Sequence, residues 1–186
     1  ERHPHTHLLG SLDNGVGDDA VNSDHREEQC ESREHPNGGP IESRAGEEVI
    51  TQPLTFVATA NAVRYTGATP VFADIEGEDS LNISVQAIES CITPRTRAIL
   101  VVHYGGYACD MLGILAIARK YELVVIEDAA HAIGSQLEGR MLGTWGQMGC
   151  FSFFSNKVIT TGEGGMMITA SEEQAERARV LRSAGA

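Results

Sequence analysis

Two uninterrupted apolar runs, Ala98-Ile99-Leu100-Val101-Val102 and Leu123-Val124-Val125-Ile126, stand about one helix apart in this chain. Runs of that length without polar alternation are expected of strands buried on both faces. Between them, Asp110 to Tyr121 carries apolar residues at helical spacing, with Asp110 placed as its N-cap. Parallel neighbouring strands need such a crossover. The same alternation extends along the chain. Glu48-Val49-Ile50-Thr51 and Pro70 to Asp74 read as strands, and Phe56 to Tyr65 as a helix stopped by Gly67. Ser84 is placed as the cap of a helix to about Cys91, strands follow near Gly149–Phe153 and Gly165–Thr169, and a charged amphipathic helix starts at Ser171. The pattern predicts a doubly wound, mostly parallel α/β sheet.

This regularity begins near Gly46. Residues 1–45 are rich in His, Asp, Glu, Asn and Gly and hold almost no branched apolar residues. They cannot bury enough apolar surface to offset their ordering entropy, so a disordered or non-native segment is expected there. Its His3, His5 and His7 sit on no fixed scaffold, and no metal site is expected.

With 14 Lys and Arg in 186 residues and a net charge of −12, the chain lacks the clustered positive charge that a nucleic-acid or anionic-membrane partner requires. No run approaches the ~20 apolar residues of a membrane span. Nothing at the start reads as a charged, apolar, small-residue signal sequence, so a cytoplasmic protein is expected. Cys30, Cys91, Cys109 and Cys150 show no CxxC spacing and are expected as reduced thiols, Cys150 within a core strand.

In sheets of this type, ligands bind beyond the carboxyl ends of the strands. Asp128 ends one apolar strand, and the loop from Ser152 to Lys157 follows another, so both open onto one edge. Lys157 is one of two lysines in the chain and sits in a polar loop among aromatics. A loop lysine is either a solvated charge or, when desolvated, an amine able to attack an aldehyde. Asp128 is either the cap of a following helix or a carboxylate aimed at a ligand. Ser152 alternates with Phe151 and Phe153, so its hydroxyl points away from them, toward a phosphate or into the core. Taken singly, His131 reads as a structural hydrogen-bonder and Phe56 as core. Gly162-Glu163-Gly164-Gly165 follows the lysine instead of opening a helix after a strand, which excludes a dinucleotide fingerprint.

Several segments in order resemble the DegT/StrS-type aminotransferases, pyridoxal-phosphate (PLP) enzymes that aminate keto sugars attached to nucleotides. They are Pro53 to Thr59, Gly67 to Asp74, Val102-His103-Tyr104-Gly105-Gly106, Cys109-Asp110-Met111, Glu127 to His131 and Phe151 to Lys157. The resemblance runs from about Gly46 to Ala186. It implies the large domain of PLP-dependent transferase fold type I, the aspartate aminotransferase-like fold. It also implies an amino group taken from glutamate, a nucleotide-linked keto sugar as acceptor, and a homodimer.

Residue by residue, Lys157 matches the Schiff-base lysine that also shuttles the proton. Asp128 matches the partner of the pyridine nitrogen, and Phe56 the aromatic that stacks on the cofactor ring. His131 falls near the cofactor's phenolic oxygen, and Ser152 at its phosphate. Two family features lack a counterpart. No Ser/Asn-Gly-Thr turn opens a helix near Asn37-Gly38-Gly39, and the residues to Ala186 are expected to stop short of the family's smaller C-terminal domain. Residues 46–186 are therefore expected to form part of the large domain only. A rival expectation is a catalytically inert PLP-fold fragment, or a binding or assembly module.

Overall fold

A computed structural model describes residues 44–183. The expectations for residues 1–45 and for the turn near Asn37 fall, apart from Arg44 and Ala45, outside the described residues. Strand β1 (Glu48–Thr51) leads into α1 (Val57–Tyr65), and β2 (Thr69–Phe72) follows. A hairpin of β3 (Ile75–Gly77) and β4 (Ser80–Ile83) precedes α2 (Val85–Cys91). Then come β5 (Thr96–Val102), a single 3-10 turn at Tyr104–Gly106, α3 (Met111–Lys120) and β6 (Val124–Asp128). A second hairpin, β7 (Gln136–Leu137) and β8 (Arg140–Met141), leads to β9 (Met148–Ser152), β10 (Gly165–Thr169) and α4 (Glu172–Arg182).

Six strands form one sheet in the order β10-β9-β6-β5-β1-β2. All neighbours are parallel except β10, which runs antiparallel to β9. Side-chain alternation sorts the strands onto two faces. Ile50, Ile99, Val101 and Val125 point to one, where they pack with Ile88 of α2 and with Met111, Ile114 and Ile117 of α3. Val49, Ala98, Leu100, Val102 and Val124 point to the other, with Val63 of α1. Helices thus cover both faces, as a doubly wound sheet requires.

Local chemistry sets the helix starts. Ser84, Asp110 and Ser171 each accept a first-turn N–H, from Ala87, Gly113 and Gln174. Helix α1 is the exception, since its N-cap is Phe56, which offers no side-chain acceptor. The sequence reading placed Phe56 inside this helix, whereas its extended backbone puts it one residue outside. Both hairpins lack a sequence signal because their strands are only two to four residues long, too short to display a period. No described helix is long and apolar enough to cross a membrane.

Candidate active site

Strand order reverses between β1 and β5. The chain leaves β1 toward α1 on one face and leaves β5 toward α3 on the other. Divergence of this kind opens a crevice at the carboxyl ends of the strands. A cavity of about 450 Å³ lies there. Phe56, Asp128, His131, Ser152 and Lys157, which come from three separate stretches of chain, all line it.

Asp128 is the last residue of β6, level with Val102 of β5 and Cys150 of β9. No helix follows it. Its Oδ1 accepts the Ala130 N–H at 3.1 Å, closing a local turn in place of the helix cap that its position also allowed. Its Oδ2 accepts the Thr59 hydroxyl at 2.9 Å, which ties the end of β6 to the first turn of α1. Phe56 stands 76% exposed at the same helix start, so its ring is a wall of the cavity and not core. His131 lies in the turn after β6 and meets the Tyr104 ring edge-on, with centroids 6.3 Å apart. Gly106 makes that approach possible: its φ is +85°, and a Cβ there would stand 2.7 Å from the His131 carbonyl oxygen.

Ser152 ends β9 opposite Gly165, and its hydroxyl oxygen accepts the Phe154 N–H at 3.3 Å. The loop beyond folds back on itself. The Phe153 carbonyl accepts both the Thr161 N–H and the Thr160 hydroxyl, and Phe153 N–H donates to Gly164 O. Lys157 sits at the turn of this loop, with its N–H donated to Phe154 O. Among the described residues its Nζ has no hydrogen-bond or ion-pair partner, so the amine is free to meet a ligand.

One residue before Asp128, on the opposite face, Glu127 is fully enclosed. Its Oε1 accepts the Trp145 and Gly146 N–H groups at 2.6 and 2.7 Å, and its Oε2 accepts Gly143 N–H at 2.7 Å. His103 Nε2 lies 2.9 Å from Oε2, while its Nδ1 accepts Cys109 N–H. Since Nδ1 is used as an acceptor, the ring donates from Nε2 to Glu127. This buried group ties the ends of β5 and β6 to the 143–146 loop. The sequence reading gave His103, Glu127, Thr59 and Tyr104 no role. Thr55 and Thr59 four residues apart at a helix start were the one available signal, and only a partner 69 residues away gives it meaning.

Burial pushes the Cys109 thiol up to about 12, and the Cys150 thiol moves the same way with Asp128 and Glu127 nearby. Both are poor nucleophiles. Among the described residues no group of three or more metal-ligating side chains occurs, and His3, His5 and His7 lie outside them.

The donor set suits a small phosphorylated aromatic aldehyde. It offers a free amine, a carboxylate with lone pairs left over, a hydroxyl at a strand end and an exposed aromatic face. Relatives point the same way. The model of the DegT/DnrJ/EryC1/StrS aminotransferase family matches residues 41–186. The chain is 53% identical over 136 residues to the spore coat polysaccharide biosynthesis protein SpsC of Bacillus subtilis, covering 73% of this chain and 35% of that protein. It is 49% identical over 140 residues to GDP-perosamine synthase of Caulobacter vibrioides, with 75% and 38% covered. The crystal structure of S. venezuelae DesV in complex with a ketimine intermediate superposes with a TM-score of 0.74 at 40% identity, covering 77% of this chain and 39% of that one. The chain spans little more than a third of the length of the curated relatives it matches.

Proposed function

The chain belongs to the DegT/DnrJ/EryC1/StrS aminotransferase family, and on that premise we propose that it forms part of the large domain of a PLP-dependent enzyme that aminates nucleotide-linked keto sugars. The convergence of Lys157, Asp128, His131, Ser152 and Phe56 on one cavity carries this reading. GDP-perosamine synthase, a relative named for a nucleotide-linked amino sugar, supports the acceptor class. Glutamate is proposed as the amino donor.

When bound, PLP would supply an aldehyde carbon that takes up the amino group and a ring that draws electrons from the carbon losing its proton. The protein's part is positional and acid–base. Lys157 Nζ would be the group that holds the cofactor covalently, and as a free amine it would carry the proton. Asp128 offers its carboxylate to the ring nitrogen. Phe56 would cover the ring, and His131 and Ser152 would hold the cofactor's phenolic oxygen and phosphate. Exposed Phe154 lines the cavity with Phe56, and Val158 and Ile159 stand exposed in the loop just after Lys157. A homodimer that covers this rim accords with them. A cytoplasmic location is part of this proposal.

The test is to add PLP, reduce with borohydride and map the modified residue. A visible band, bleached by glutamate, and label on Lys157 support the proposal, and Lys157→Ala should abolish labelling. Absence of a band at saturating PLP would instead favour the inert-fragment or binding-module reading.

A further inference from the structure

We propose that Thr59, oriented by Thr55, is a positioning residue that sets which lone pair of Asp128 faces the cavity, and so how the protein grips a pyridine-type cofactor. The inference rests on the PLP reading above. A Thr hydroxyl has one proton to donate. That of Thr59 goes to Asp128 Oδ2 at 2.9 Å, because an ionised carboxylate only accepts. The 2.8 Å contact between the Thr55 and Thr59 hydroxyls must then have Thr55 as donor. The chain is directional: Thr55 donates to Thr59, and Thr59 to Asp128.

The terminal torsion of an Asp side chain is broad, so an unrestrained carboxylate rocks. Here Ala130 N–H holds Oδ1 from the β6 turn, and Thr59 holds Oδ2 from helix α1. Two donors on two different elements leave one orientation. Thr59 is 5% exposed, which leaves little room for water to take over its bond. Its branched Cβ further limits its own rotamers within the helix. The first turn of α1 contains no acid and its N-cap no side-chain acceptor. The carboxylate joined to that turn through Thr59 is therefore also favourably placed against the positive end of the helix. Thr55, Thr59 and Asp128 all line the cavity, so the relay acts at its wall and not in remote core.

The experiment compares wild type, Thr59→Val, Thr59→Ser and Thr55→Val in the full-length protein. It reads the PLP dissociation constant, the pH titration of the visible band, and thermal unfolding without cofactor. Thr59→Val should weaken PLP binding about tenfold, the worth of one charge-assisted hydrogen bond, and shift the band's titration. Thr59→Ser should restore both. Thr55→Val should give a smaller change in the same direction. Wild-type affinity and titration in Thr59→Val overturn the proposal. So does a loss that follows unfolding temperature and that Thr59→Ser fails to rescue, since that marks a packing role. Should Thr59→Val not fold, Thr55→Val decides: an altered affinity supports the relay, and an unaltered one overturns it. A wild-type protein with no band removes the PLP reading itself, and this inference with it. A wild-type band that Thr59→Val leaves unchanged removes the inference alone.

Discussion

Glu127 and Asp128 are adjacent carboxylates on one strand, yet alternation sends them to opposite faces of the sheet and to opposite fates. Glu127 is sealed, with three backbone N–H groups and His103 occupying its oxygens. Asp128 is half-buried, held by one backbone and one hydroxyl donor, and keeps accepting capacity toward the cavity. A carboxylate whose lone pairs are all filled by the fold is a fastener. One that is held but not filled can bind something else. The difference lies not in residue type but in how many donors the surrounding loops bring.

That contrast can be broken by mutation. The largest effect is expected from Glu127→Ala. It leaves buried N–H groups without an acceptor, each costing about 1–3 kcal/mol, so the loss should be at least about 3–5 kcal/mol. Denaturant midpoints would measure it, and a loss below about 1 kcal/mol would show that water or a rearranged loop replaces the carboxylate. Asp128→Asn should do the reverse. Stability should change by under about 1 kcal/mol, since the amide oxygen can still accept one of its hydrogen bonds. If the proposed function holds, turnover should fall by about a hundredfold or more, because a neutral group would no longer balance charge on the cofactor ring. Wild-type turnover in Asp128→Asn would remove Asp128 from the chemistry.

Thiol reactivity sharpens the comparison at smaller amplitude. Cys109 N–H donates to His103, so its thiol reports on the sealed side. Its raised pKa means that the thiol stays protonated below about pH 12 and is kept from alkylating agents at pH 8. Iodoacetamide should therefore label Cys91 well before Cys109, and denaturant should remove the difference. Peptide mapping would settle the order, and equal labelling rates in the folded protein would mean that the Glu127 face opens readily.

Much of the frame was readable in the residues themselves. The β1 bounds and the caps at Ser84 and Asp110 came out as expected, because a cap or a buried run is decided by groups within four residues of one another. The two hairpins were missed since strands of two to four residues are too short for a period to be read, and they form because pairing partners and the core hold them. Phe56 could not be told from a core residue, as apolar character alone does not say on which side of a helix cap the ring falls.

Composition, period and capping were enough to establish a mostly parallel α/β sheet and to send Asp128, Ser152 and Lys157 to one edge of it. They act over a few residues, where the covalent chain already sets who is near whom. The tertiary structure alone decided which acid faces the cavity with room to bind, that Thr59 holds it, and that Glu127 is closed off by His103 and the 143–146 loop. Those outcomes depend on contacts 16 to 69 residues apart, and such contacts exist only after strand order and helix faces have been fixed by burying the two sides of the sheet.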